Sequence, residues 1–278
     1  MNRRALLTGL SAAGLALPAQ AAAPGLSLSG RFVQGGFALG RTAPRAALDL
    51  DGTAVGNASA DGLFVIGFDR DAGPTSVLTV STEDGSASHE AAIAPGSFDI
   101  QRIDGLPDNQ VKPEDPALLE RIAAEGARKA VGFASVADLD DFQTGFILPL
   151  EGARRSARFG GQRILNGEPR RPHYGVDLAA PVGAPVRAPA AGLVVFAETG
   201  LHFEGGLILI DHGQGLITAY LHLSKILLSA GTKLNQGQLI GAVGQEGRAT
   251  GPHLCWRMKW HGRNLDPALM VGAVSPRP

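Results

Sequence analysis

The order of apolar and polar positions along the chain predicts short strands. Between residues 26 and 103, Leu26-Ser27-Leu28 alternates. Val77-Leu78-Thr79-Val80 follows the breaker Gly73-Pro74, and Leu63-Phe64-Val65-Ile66-Gly67-Phe68 is a continuous apolar run suited to burial in a sandwich core. Asp51-Gly52 and Asp84-Gly85 read as hairpin turns. About seven such segments, roughly 8 to 12 residues apart, predict a small antiparallel β-sandwich over 22–104. The period then changes. Residues 106–116 are rich in Pro and Asp. Beyond Pro116, Leu118, Leu119, Ile122 and Ala123 fall at helical spacing, with Glu120, Arg121, Glu125 and Arg128 on the opposite side and Gly132 as the expected stop. Residues 105–145 therefore read as a part-helical connector. Strand-like runs return at 192–197, 207–210, 216–221, 239–243 and 254–259, separated by turns containing Gly, Pro or Asn. They predict a second antiparallel β domain over 146–272 and a short tail, 273–278, in a chain of mainly β class.

Composition agrees with this reading. Over 278 residues, 44% hydrophobic and 18% charged side chains suit a buried core. The 38 glycines favour many tight turns over helical bundles. A formal net charge of −1 gives no electrostatic footing for nucleic acid. At the N-terminus, Arg3-Arg4, the apolar run 5–17 and Ala19-Gln20-Ala21 have the layout of a signal peptide over 1–21. The run is too short, at 1.5 Å per residue, to cross a hydrocarbon core of about 30 Å. The expectation is an exported, periplasmic protein with no transmembrane span once processed. The paired arginines also resemble a twin-arginine signal. Cys255 is the single cysteine, so no internal disulfide forms. A free thiol outside the cytoplasm is prone to oxidation, and metal ligation is a reason to keep one there.

Candidate chemistry is concentrated between residues 173 and 255. His173 and Asp177 flank Gly175, His222 lies in Tyr220-Leu221-His222-Leu223, and His253 and Cys255 lie in Thr250-Gly251-Pro252-His253-Leu254-Cys255. Imidazole, carboxylate and thiolate are the usual ligands of zinc. Residues two apart on a strand share a face, so His253 with Cys255, and Tyr220 with His222, are expected to point into one groove. A bend at Gly175 is expected to bring His173 and Asp177 to one ion. A catalytic zinc needs three protein ligands. Five candidates leave two histidines for general acid–base work, a set suited to metal-assisted hydrolysis of an acyl bond.

In their order, His-x-x-x-Asp, Tyr-x-His-Leu and Thr-Gly-Pro-His-x-(ligand) resemble peptidase family M23, the lysostaphin- or LytM-type zinc endopeptidases. The resemblance covers roughly 146–270. It implies a C-terminal domain of the barrel-sandwich hybrid type, with zinc held by His173 and Asp177. It also implies His222 and His253 as the catalytic histidines, and Cys255 standing where the family has its third ligand, a histidine. The substrate it implies is the stem or cross-bridge peptide of peptidoglycan. A thiolate brings the metal site from +1 to zero charge, which is expected to weaken activation of water without abolishing zinc binding. Arg163, Arg170, Arg171 and Arg248 are candidates for meeting substrate carboxylates, with a solvated rim as the plainer reading. Asn166 and Tyr220 are candidate groove-lining groups, and His202, His212 and His261 read as structural. A non-catalytic family module that binds the cell wall or activates a partner amidase is the rival reading. A biotinyl- or lipoyl-type carrier is a weaker rival, because no Met-Lys pair lies between the matching segments 186–194 and 231–239.

Overall fold

The computed structural model describes residues 24–276, and the segment read as a signal peptide lies outside them. Seven strands occupy residues 27–92: β1 (Ser27–Arg31), β2 (Phe37–Arg41), β3 (Ala47–Leu50), β4 (Thr53–Asn57), β5 (Leu63–Gly67), β6 (Thr75–Thr82) and β7 (Gly85–Ala92). They form two antiparallel sheets, β1-β2-β5 and β4-β3-β6-β7. Alternation works as the pattern predicts in β6, where Ser76, Leu78 and Val80 turn inward and Thr75 and Val77 outward. The continuous run of β5 is buried throughout. Its far end meets the second domain, since a Cβ on Gly67 would lie 2.9 Å from Leu265 and 3.2 Å from Trp260. Asp51 and Gly52 both adopt positive φ, 58° and 78°, closing the β3–β4 hairpin as a two-residue turn. In the β6–β7 hairpin Thr82 pairs with Gly85, so the turn falls on Glu83-Asp84, one residue earlier than the Asp-Gly signal suggests.

The connector is more involved than a spacer. β8 (Ile100–Ile103) leaves the sandwich and pairs in parallel with β10 (Gln162–Leu165), which also pairs with β11 (Glu168–Pro169). α1 (Asp108–Val111) follows, then α2 (Pro116–Phe133). α2 starts where expected: Pro116 occupies the first turn, and the Asp115 carboxylate accepts from the Ala117 N–H at 2.8 Å. Gly132 lies inside the helix, where a Cβ would press on Leu209 at 2.9 Å and Phe196 at 3.1 Å. It allows close packing and does not stop the helix. No helix among the described residues is long and apolar enough to cross a membrane.

The remaining strands are β9 (Arg154–Ala157), β12 (Gly175–Ala179), β13 (Pro185–Arg187), β14 (Gly192–Leu201), β15 (Gly205–Asp211), β16 (Leu216–Ile226), β17 (Lys233–Leu234), β18 (Leu239–Val243), β19 (His253–Trp260) and β20 (Arg263–Leu265). They build an antiparallel sheet in the order β17-β14-β15-β16-β19-β12-β9, with β18 joining β13 to β16 and β20 beside β19. One face, with Val176, Tyr220, Trp256 and Met258, belongs to a core continuous with the sandwich. The other carries Leu207, Leu209, Ala219, Leu221 and Cys255, against which Phe133 of α2 packs. Cys255, one of the candidate site residues, lies on this second face.

Candidate metal centre

Three adjacent strands set the centre. Asp177 in β12 is paired with Cys255 in β19, which is paired with Leu221 in β16, so their side chains form one row across the sheet. His173 lies just before β12. Its backbone is clamped on both sides, its N–H donating to Gly161 at 2.8 Å and its carbonyl accepting from Gly160 at 2.7 Å. From there Nε2 reaches Asp177 Oδ1 at 3.0 Å and Cys255 Sγ at 3.3 Å. One donor atom from each of the three residues lies within 4.8 Å of the other two, and all three residues are buried. Gly175 contributes by close approach, not by a bend. A Cβ there would lie 2.9 Å from the Trp256 carbonyl oxygen and 3.1 Å from Cys255 Sγ. Any larger residue would push β12 off β19 and open the row.

These donors fit a metal ion. Atoms ~2.0–2.3 Å from a common tetrahedral centre lie ~3.3–3.6 Å apart, near the separations found. Buried Asp177 Oδ1 has only the ring nitrogens of His173 and His253 near it, at 3.0 and 3.7 Å, and no well-directed hydrogen bond, an arrangement a cation would satisfy. Burial alone would favour the neutral acid, yet His173, His253 and Arg163 outweigh it and hold Asp177 well below the usual carboxylate range. Burial likewise opposes protonation of His173, but the charges of Cys255 and Asp177 raise it above its ordinary value. Each anionic ligand has its own arginine. Arg163 Nη2 donates to Asp177 Oδ2 at 3.4 Å, and Arg257 Nε donates to Cys255 Sγ at 3.4 Å. Arg257 escapes a motif-based reading. Its signal is alternation, since it follows Cys255 by two residues on the same strand.

Two histidines complete the site. His253 Nδ1 donates to the Gly251 carbonyl at 2.8 Å, and its Nε2 lies 3.7 Å from Asp177 Oδ1. His222 Nδ1 donates to the Glu246 carbonyl at 2.7 Å, and its ring centroid is 4.7 Å from that of His253. In both rings the backbone contact occupies Nδ1 and leaves Nε2 for the site. Burial pushes His222 down to about 4, and burial also lowers His253, so both rings are neutral near neutral pH, each with an unprotonated nitrogen.

The expectation that Tyr220 and His222 share a face fails, for a local reason. His222 has φ of 66°, and the β15–β16 register shifts between Tyr220 and Leu223. This irregularity swings His222 out to the metal side. Tyr220 stays in the core, fully buried, with its hydroxyl 2.8 Å from Thr218 Oγ1. Asn166 is not groove-lining either. It sits in the β10–β11 turn, where its amide exchanges two hydrogen bonds with the backbone of Leu106. His212 bridges Ala191 O and Thr218 Oγ1 in the core, His202 lies 3.0 Å from Asn109 O, and His261 packs edge-on against Trp260. His89 is exposed on β7.

Three buried donors around one point, with two neutral imidazoles beside them, make a candidate metal centre. Residues 171–267 match the model of Peptidase family M23. Peptidoglycan DD-endopeptidase ShyA of Vibrio cholerae is 42% identical over 111 residues, covering 36% of this chain and 25% of that protein. DD-carboxypeptidase/endopeptidase Mpg of Neisseria meningitidis is 37% identical over 132 residues, covering 48% of this chain and 30% of that protein. The matches thus span less than a third of these relatives. A solved structure of a Pseudomonas aeruginosa protein assigned to peptidase M23 superposes with a TM-score of 0.65 at 28% identity, covering 87% of this chain and 96% of that one. Residues 171–267 of the C-terminal domain thus form a peptidase family M23 domain by the family-model match.

Proposed function

We propose that the protein is a zinc-dependent endopeptidase, exported to the periplasm, that hydrolyses peptide bonds in the stem or cross-bridge peptides of peptidoglycan. The substrate is taken from the relative named as a peptidoglycan DD-endopeptidase. The observation that carries the reading is the meeting of His173, Asp177 and Cys255 beside His222 and His253. His173, Asp177 and Cys255 would hold the ion. Zinc held there supplies Lewis acidity for the scissile carbonyl and for the attacking water. Asp177 stays charged to bind it, and Arg163 fixes the carboxylate from behind. Neutral His222 takes a proton from the attacking water. His253, oriented by the Gly251 carbonyl, turns its bare Nε2 toward the site, and the proton taken up by His222 is the one delivered to the leaving amine. Cys255 makes the centre less positive than a second imidazole would, so turnover is expected to be slower or shifted to higher pH.

The test pairs metal analysis of the purified protein with release of peptides from isolated peptidoglycan. The expected result is one zinc per chain and new peptide termini. His222→Ala should keep the metal and lose about 100-fold or more in rate, the usual scale of general acid–base catalysis. Stoichiometric zinc with no bond cleaved at any pH would leave a cell-wall-binding module instead.

A further inference from the structure

His173 differs from the other two histidines of the centre in how its ring is held. Nδ1 of His222 and of His253 each donates to a backbone carbonyl, whereas Nδ1 of His173 is buried with no hydrogen-bond partner. A histidine that ligates a metal ordinarily has its other nitrogen fixed by an acceptor, which sets the direction of the ring. His173 also precedes β12, whose pairing with β19 begins at Gly175, so no strand pairing places it. Its backbone is what remains, and two adjacent glycines hold that. The Gly160 N–H donates to the His173 carbonyl at 2.7 Å, and the Gly161 carbonyl accepts from the His173 N–H at 2.8 Å.

A glycine pair has more conformational freedom than any other backbone, so this strap is only as firm as its outside support. The sandwich supplies that support. Arg70, between β5 and β6, donates from Nε to the Gly160 carbonyl at 2.7 Å, the oxygen of the peptide bond that joins the two glycines. Its side chain is 15% exposed; the guanidinium pairs with Asp71 and lies 4.4 Å over the Phe98 ring. Phe98 in turn meets Phe159 edge-on at 6.1 Å. A Cβ on Gly160 would run into Phe98, and one on Gly161 would lie 2.6 Å from Asp99 Oδ1, so the strap is pressed against the chain that leads from the sandwich to β8. A hydrogen bond donated by a cation is roughly twice as strong as a neutral one, which makes Arg70 the firmest of these ties.

We propose that Arg70 is a positioning residue for the metal centre: through Gly160 and Gly161 it fixes His173, so the sandwich domain completes a site whose ligands all lie on the other domain. It contributes no ligand and acts through the strap alone. The proposal rests on the metal reading above. It places a determinant of zinc affinity about a hundred residues before the segment, 171–267, that matches the family.

The experiment uses the full chain. Chelator competition gives Kd for zinc, and hydrogen exchange in the zinc-free protein reports on the amides of Gly160 and His173. Arg70→Met keeps an apolar stem over Phe98 and removes the donor. It should weaken zinc binding by about tenfold to 100-fold, the usual scale for a group that orients a ligand, and speed exchange at both amides. Arg70→Lys restores a charged donor and should recover part of each effect. Gln214→Asn is the control, because the Gln214 amide ties the domains together elsewhere, on the Leu63 carbonyl at 3.0 Å and the Val65 N–H at 3.4 Å. It should lower Tm and leave zinc Kd and the two amides unchanged. Wild-type zinc affinity in folded Arg70→Met, or an equal loss of zinc in Gln214→Asn, would overturn the assignment. If wild type binds no zinc, the metal reading fails, yet the two amides still decide the strap: faster exchange in Arg70→Met supports it, and unchanged exchange overturns it.

Discussion

Cys255 sets the chemistry of the centre, and its replacement separates charge from ligation. A serine hydroxyl is a poor zinc ligand, so Cys255→Ser is expected to lose both metal and activity. An imidazole restores a neutral donor and raises the site charge by one, so Cys255→His should retain zinc and cleave as fast or faster. Chelator competition for zinc, followed by a rate assay, checks both. Gly175 offers a sharper steric test. Its Cβ would meet backbone at 2.9 Å and the ligand sulfur at 3.1 Å, and neither can move aside cheaply. Gly175→Ala should cost about 1–3 kcal/mol in urea unfolding and weaken zinc binding, as overpacking does. Wild-type stability and affinity in that variant would show that the strands tolerate separation.

Elements, not single contacts, hold the two proposed catalytic histidines near the proposed metal ligands. β16 delivers His222 by breaking its own alternation, and β19 delivers His253 by keeping it. α2 stiffens the hairpin of β14 and β15 through Glu125, which is buried and accepts from the His202 N–H at 2.9 Å and Arg121 Nε at 2.8 Å. Glu125→Ala leaves that N–H unsatisfied and should cost about 1–3 kcal/mol, with faster hydrogen exchange at the tip of the hairpin as the readout. Under the sheet, His212 is fully buried and pushed down to about 4 by that burial. Unfolded, it titrates near 6.5 and binds a proton the native state refuses. Its contribution is therefore present above pH ~6.5 and is lost as pH falls toward ~4, roughly 3 kcal/mol in all. Urea unfolding at pH 7.5 and 4.5 should show the loss, and His212→Gln should remove that share of the slope.

Across the whole molecule, one core passes from the sandwich into the catalytic sheet. Polar ties reinforce it: Asp69 Oδ2 accepts from the Asn264 N–H at 2.7 Å, and the Gly35 carbonyl accepts from the Asp266 N–H at 2.7 Å. The sandwich therefore braces β20 and, through it, β19. Calorimetry is expected to show one cooperative transition for both domains, because neither can lose its packing without exposing the other's. Asp69→Ala should lower that transition. Two well-separated transitions in the wild type would contradict the shared core.

Local pattern alone determined the strand-rich class, the start of α2 at Pro116, the Asp51-Gly52 turn and the identity of the residues at the centre. Each depends on a period, a cap or a motif readable within a few residues. The tertiary structure decided what depends on neighbours distant in sequence. β8 pairs with β10 through a contact some sixty residues away, which no local period encodes. His222 faces the ligands because β15 imposes an irregularity on β16. Gly175 matters for what packs against it, and Arg257 for the sulfur that its strand places beside it. Side-chain period is a property of one strand; close approach and shared charge belong to several at once.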